Sequence, residues 1–198
     1  MRKSRLEAFS DGVLAIIITI MVLELHVPAG AGLAALGASA PTLLGYLLSF
    51  VNLAIYWNNH HHMLQAADRV TGAALWANMH LLFWLSLIPF VTSWMGDHFE
   101  PVPVAAYGVV LLASGTAYFI LSRVLLAAHG PDSVLARALG RDAKGVASLV
   151  IYVAAVGLAF VRPAFACALY ALVALMWLVP DRRIERLLEP EGRGRRHD

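Results

Sequence analysis

The stretch Arg5-Leu-Glu-Ala-Phe-Ser-Asp-Gly-Val-Leu-Ala-Ile-Ile-Ile-Thr-Ile-Met-Val-Leu-Glu-Leu-His-Val-Pro28 decides the fold of this chain. It has a polar cluster at one end, an uninterrupted aliphatic middle and a proline at the other end. An α-helix that spans a bilayer needs about 20 predominantly apolar residues. The stretch therefore predicts a membrane helix over residues 5–27, which Pro28 ends. Ser4 and Glu7 have the spacing of a capping box, which places Arg5 in the first turn.

The composition of the whole chain agrees with this prediction. Of its 198 residues, 60% are hydrophobic and 14% are charged, whereas a soluble domain is about a quarter charged and under half apolar. The chain has a single cysteine, Cys167. A disulfide framework is therefore excluded, and a cysteine-based metal site is disfavoured.

Six apolar segments have the length of membrane spans. They cover residues 5–27, 41–63, 72–95, 103–127, 143–161 and 164–180. We therefore predict an all-α membrane protein with one six-helix transmembrane domain, residues 1–189. Residues 190–198 are predicted to be a basic, disordered cytoplasmic tail.

The loops between these segments predict the orientation in the membrane. Of the 15 Lys and Arg residues, all except Arg162 fall on one side of the predicted bilayer. Because basic loops stay in the cytoplasm, an even number of spans places both termini there, in a multi-pass protein of the cell membrane. The arginines of the tail are expected to contact anionic lipid rather than nucleic acid.

Helical periodicity divides the first span into two faces. At 100° per residue, one stripe holds aliphatic residues and a threonine: Ile16, Thr19, Ile20, Leu23 and Val27. Toward the cytoplasm this stripe meets Gly12, Phe9 and Arg5. Ser10 and Asp11 lie off it. We expect the aliphatic face to pack around a symmetry axis and the polar face to find partners on other helices.

Asp11 should have such a partner, because a charged group inside the bilayer costs at least about 2.5 kcal/mol. Polar groups at the same predicted depth are Asn58, Asn59, His60, His61, His62, Asn78 and His80. We expect a hydrogen-bonded network that links Asp11, Ser10 and Arg5 to some of them. The alternative is that Asp11 is solvated among the lipid head groups.

Sequence signals for catalysis or metal binding are missing. Consecutive histidines on a helix point in three directions, and no His-Glu zinc motif occurs, so no metal site is predicted at residues 60–62. The chain has no nucleophile elbow, Walker loop or dinucleotide-binding motif. It also lacks the Thr-Val-Gly-Tyr-Gly filter of potassium channels. We expect no catalytic residue and no cofactor, and ion selection in such a chain would have to come from side chains.

Two features of the first span can each be interpreted in two ways. The Thr19 hydroxyl either bonds the backbone one turn back or faces a passing ion. Glu24 and His26 either form an outer charged ring or mark the membrane interface.

The sequence Arg5-x-x-x-Phe9-Ser10-Asp11, followed by Gly12 and an aliphatic run, resembles the signature of the transmembrane protein 175 family. That family contains the endo-lysosomal potassium channel of animals and shorter prokaryotic homologues. The stretch Trp57-Asn-Asn-His-His61 also resembles the second helix of the family.

The resemblance implies a homotetramer of six-helix subunits whose first helices line a central pore. It places the hydrophobic constriction at Ile16, Ile20 and Leu23, with Thr19 as a polar pore neighbour and Gly12 and Val27 also lining the pore. It assigns a structural polar network to the residues Arg5, Phe9, Ser10, Asp11, Trp57, Asn59, His60, His61, Asn78 and His80. The expected permeant ions are K⁺, Cs⁺ and Rb⁺, with weaker passage of Na⁺.

Two other functions are weighed against this one. A proton-coupled or proton-permeable transporter would use Asp11 and the histidines as a relay. An intramembrane enzyme would need a histidine-bound metal, for which the spacing gives little support.

Overall fold

The structure is a computed structural model that describes residues 3–139 and 143–178. Within these residues the regular structure is entirely helical, as predicted. In chain order the helices are α1 (Lys3–Leu23), α2 (Leu33–Ala38), α3 (Ala40–Gln65), α4 (Gly72–Ser86), α5 (Ile88–Asp97), α6 (Pro101–His129), α7 (Val134–Leu139), α8 (Ala143–Ala159) and α9 (Pro163–Leu178). The predicted tail, residues 190–198, lies outside the described residues.

Both ends of α1 differ from the sequence prediction. Ser4 is already helical, so the capping box is wrong, and Glu7 instead lies 3.9 Å from the Lys3 ammonium one turn back. At the other end α1 stops at Leu23. Val27 therefore does not continue the helical stripe, and it is 91% exposed. The physical reason is Pro28, which cannot continue a helix and keeps the residue before it out of the helical conformation.

The third predicted span, residues 72–95, is interrupted. It consists of α4 and α5, which are separated at Leu87. Pro89 lies in the first turn of α5. Proline has no N–H and its ring clashes with the carbonyl four residues earlier, so the regular helix stops before it. The two helices still follow one path, Gly72–Asp97.

Within the described part of the chain, four helical segments are long and apolar enough to cross a membrane: Lys3–Leu23, Ala40–Gln65, Gly72–Asp97 and Pro101–His129. Two further apolar helices, α8 and α9, are shorter, with 17 and 16 residues. They occupy most of the fifth and sixth predicted spans.

The packing leaves one face of α1 uncovered. α6 packs against α4, α5, α8 and α9, and its fully buried Tyr107 lies 5.6 Å from Tyr170 between ring centroids. α1 packs at the side of this bundle, against α3, α4 and α5. Its remaining face has no neighbour among the residues that the structure describes, and it is this face that carries the candidate site.

Candidate pore face and polar network

The residues of α1 separate into a buried face and an exposed face. Leu14 and Ile17 are each 3% exposed, whereas Ile16 is 61% and Leu23 is 76% exposed. Ile20, Thr19 and Gly12 are also exposed. The structure therefore places the predicted aliphatic stripe on the uncovered face, as far as Leu23.

Thr19 is the polar residue within this exposed aliphatic stripe. Its hydroxyl donates to the Ala15 carbonyl one turn back, at 2.9 Å. A hydroxyl has one proton and two lone pairs, so this bond uses its donor capacity and leaves acceptor capacity. The backbone bond of Thr19 is thus compatible with a role in the ion path, because its oxygen can still accept a contact from a cation.

A buried chain of hydrogen bonds joins α1 to α3 and α4. The Ser10 hydroxyl donates to the Leu6 carbonyl at 2.9 Å, and the Asn78 amide donates to the Ser10 oxygen at 3.0 Å. The Asn78 carbonyl oxygen lies 2.7 Å from Nε2 of His60. Because Asn78 uses its NH₂ group on Ser10, its oxygen must accept, so Nε2 of His60 carries a proton. Ser10, Asn78 and His60 are at most 3% exposed.

Asp11 lies outside this buried chain. It is exposed, and the Trp57 indole N–H donates to its Oδ1 at 3.0 Å. The His61 ring stacks on Trp57, with centroids 5.7 Å apart and planes 19° apart. Asp11 and Ser10 are therefore held through different residues of α3, and the predicted network consists of two parts in one subunit.

Four residues of the predicted network take no part in either set. Arg5 makes no hydrogen bond or ion pair with any described residue, and Phe9 is exposed. The Asn59 amide donates to the Ile55 carbonyl on its own helix. His80 accepts from the Trp84 indole at 2.9 Å on the outside of α4. None of these side chains has a hydrogen bond to Ser10, Asn78 or Asp11 in the described part of the chain.

The histidines of α3 diverge in the same way. His60 turns inward to Asn78, whereas His61 stacks on Trp57. Among the described residues, no three His, Cys, Asp or Glu side chains are grouped so that they could hold a metal ion.

Sequence reasoning missed a second buried polar cluster, which lies nearer the other end of the bundle. The Ser49 hydroxyl lies 2.7 Å from that of Thr92 and 3.0 Å from that of Tyr107, so α3, α5 and α6 are joined. Thr92 also donates to the Ile88 carbonyl. Isolated hydroxyls in apolar helices usually bond their own backbone. Nothing in their spacing indicates that these three would meet.

Comparisons with known proteins agree on one family. A family model described as "Endosomal/lysosomal potassium channel TMEM175" matches residues 5–89, which carry α1, α3 and α4. A potassium channel of Chryseobacterium sp. (strain P1-3) is 52% identical over 190 residues, covering 96% of this chain and 99% of the relative. The bovine endosomal/lysosomal proton channel TMEM175 is 32% identical over 178 residues, covering 80% of this chain and 37% of the bovine protein.

A solved structure is similar over nearly the whole fold. The crystal structure of a lysosomal potassium-selective channel TMEM175 homolog from Chamaesiphon minutus matches with a TM-score of 0.78 at 26% identity, covering 91% of this chain and 97% of that one. The relatives named here are ion channels and not enzymes.

Proposed function

Since this membrane-spanning chain belongs to the TMEM175 channel family, we propose that it is a potassium-permeable channel whose pore is lined by α1. The observation that carries the proposal is the exposed aliphatic face of α1, which includes Ile16, Ile20 and Leu23. In the proposed assembly, each subunit has six spans and the subunits are arranged around a central axis. Four copies bring their α1 helices together there, because one such helix cannot enclose a pore.

The proposed constriction consists of three stacked rings of aliphatic side chains. Rings of isoleucine or leucine form a hydrophobic narrowing that gates by losing its water. The barrier for an ion is then set by the cost of partial dehydration, which is lower for K⁺, Rb⁺ and Cs⁺ than for Na⁺. Discrimination is modest, because no cage of carbonyl oxygens replaces the lost water. The Thr19 oxygen, with lone pairs left after its bond to Ala15, supplies a polar contact between the rings.

Ser10, Asn78 and His60 are proposed to hold α1 in position. Their bonds fix the cytoplasmic half of α1 to α3 and α4 from behind, on the side away from the aliphatic face. Trp57 of α3 holds the adjacent side of α1 through its hydrogen bond to Asp11. The orientation, with both termini in the cytoplasm of the cell, is supported by the distribution of the Lys and Arg residues.

A proton-permeable or proton-coupled function is the second candidate. It is favoured by the name of the bovine relative, a proton channel, and by the exposed carboxylate of Asp11. In that case Asp11 would exchange protons with the pore water while Trp57 keeps it in place.

Ion flux from liposomes loaded with purified protein tests both functions. Passive K⁺ flux down its gradient, shared by Rb⁺ and Cs⁺ and independent of any proton gradient, is the expected result. K⁺ transport in fixed stoichiometry with protons would overturn the channel and support the coupled transporter.

Substitutions on α1 test the pore itself. Replacing Ile16, Ile20 or Leu23 singly with Asn should raise K⁺ flux and lower the K⁺/Na⁺ ratio at the narrowest ring. Val150→Asn is a matched control, because Val150 is an exposed aliphatic residue of α8, and its flux should equal that of the wild type. If the three α1 variants also equal the wild type, α1 does not line the pore.

A further inference from the structure

A cleft within the subunit lies away from the proposed pore. Its walls come from α3, α6, α8 and α9, and none of its lining residues belongs to α1. Its volume is about 50 Å³, which is room for about four water-sized groups. Any ligand of this cleft is therefore separate from ions that pass along α1.

Two tyrosine hydroxyls in this cleft have no partner among the described residues. Tyr152 is 3% exposed, yet its hydroxyl makes no hydrogen bond, and that of Tyr56 also makes none. Tyr107 and Tyr170, which lie deeper, bond Ser49 and the Val104 carbonyl. Among the described residues, the polar side-chain atoms that are both buried and unpaired are His62 Nδ1 and Ser114 Oγ, so the two tyrosine hydroxyls instead face the open space of the cleft. The two unpaired hydroxyls are therefore available to a ligand.

The rest of the wall excludes charged ligands. The lining residues are aromatic, aliphatic or neutral polar, and none carries a formal charge. Trp177 is already committed, since its indole N–H donates to Ser148 at 2.8 Å. A mostly apolar wall with a few convergent polar groups is typical of small-ligand sites, and it suits an alkyl chain better than a water cluster. An ionised head would lose its hydration there without a counter-charge.

We propose that this cleft binds a neutral single-chain amphiphile of the long-chain alcohol class. Its hydroxyl head lies between Tyr56 and Tyr152, donating to one and accepting from the other. The chain lies along the aromatic wall and leaves through the open side of the cleft. The volume admits a hydroxyl head with its first methylenes and is too small for a phospholipid head group. The proposal does not depend on the ion that the central pore conducts.

Photolabelling of the full chain in lipid nanodiscs tests the site. The probe is a 1-decanol analogue with a diazirine near its hydroxyl. Adducts are expected to concentrate on peptides of α6 and α8 that line the cleft, and excess 1-decanol should suppress them, whereas decane should not. Labelling spread evenly over the lipid-facing helices, or equal suppression by decane, would overturn the proposal. Stronger suppression by decyltrimethylammonium would overturn it too, because the site would then be an aromatic cage for cations.

Variants that remove only the hydroxyls sharpen this test. The double variant Tyr56→Phe, Tyr152→Phe keeps the shape of the cleft and should reduce cleft labelling about thirtyfold, since each of the two lost bonds is worth about 1 kcal/mol. Tyr46→Phe, on α3 but outside this cleft, is the matched control and should label like the wild type. Unchanged labelling of the double variant overturns the proposal. Absence of K⁺ flux from the wild-type protein, with labelling of the cleft intact, would instead overturn only the proposed channel.

Discussion

Ser10 is fully buried, and both hydrogen-bonding capacities of its hydroxyl are used, by the Leu6 carbonyl and the Asn78 amide. Ser10→Ala leaves the Asn78 N–H unpaired inside the bundle. The expected loss of unfolding free energy is about 1–3 kcal/mol, measured as a lower midpoint of thermal unfolding in detergent. Thr116→Ala is the control, because Thr116 is exposed and makes only the backbone bond to Leu112. Equal effects of the two variants would show that the bond from Asn78 adds nothing.

Variants of Asp11 distinguish a structural role, in which it holds α1 in position, from a role as a proton relay. Asp11→Asn keeps an oxygen that accepts from the Trp57 indole but cannot carry a negative charge. If Asp11 only holds α1, this variant should assemble and conduct K⁺ like the wild type, whereas Asp11→Ala should lose about 1 kcal/mol of stability. Measuring K⁺ and proton flux in the same liposomes checks this. Loss of proton flux alone in Asp11→Asn would favour the relay.

The sequence predicted which side chains are polar but not how they pair. Periodicity separated Ser10 and Asp11 from the aliphatic stripe, and the structure pairs Ser10 with Asn78 of α4 and Asp11 with Trp57 of α3. It did not distinguish His60 from Asn59, which points to its own backbone instead. Side-chain pairing depends on the rotation of α3 about its axis. Neighbouring helices set that rotation, and a single sequence does not encode it locally.

At the scale of elements, hydropathy located the spans because burying backbone polar groups in lipid requires long helices. Local chemistry set boundaries that hydropathy missed. α1 ends at Leu23, four residues before the predicted end at Val27, and Pro89 divides the third span at Leu87. The cleft at Tyr56 and Tyr152 arises where four helices meet, so no segment of sequence indicates it.

Gly108 of α6 tests how closely these helices pack. A Cβ atom built at this position would overlap the Tyr170 hydroxyl and lie 2.9 Å from the Val156 side chain. Gly108→Ala should therefore cost about 1–3 kcal/mol through overpacking, read as a lower unfolding midpoint and lower yield. Gly157→Ala on α8 is the matched control, because no atom lies within 4 Å of its built Cβ. It should be neutral or stabilising by about 0.5–1 kcal/mol. Equal stability of the two variants would contradict the packing of α6 against α9.

At the scale of the whole molecule, the uncovered face of α1 requires an explanation. It joins exposed isoleucine and leucine to the charged Arg5 and Asp11 at one end. Lipid would cover the aliphatic part without difficulty, but it leaves the charged part poorly solvated. The proposed symmetric assembly would cover both, because the aliphatic parts would meet at the axis and the charged ends would lie at a water-filled mouth.

Cysteine cross-linking distinguishes this assembly from a lipid-covered α1. The chain has one native cysteine, Cys167, so Cys167→Ser gives a clean background. In that background Leu23→Cys should form covalent dimers under mild oxidation, and native mass spectrometry should find four chains per particle. Ile17→Cys is the matched control on the same helix, since Ile17 is buried within its own subunit, and it should stay monomeric. Disulfides require Cα atoms within about 7 Å of each other. If both variants stay monomeric, the α1 helices of different subunits do not lie close together, and the central pore is overturned. If both variants form dimers, the boundary between subunits lies elsewhere.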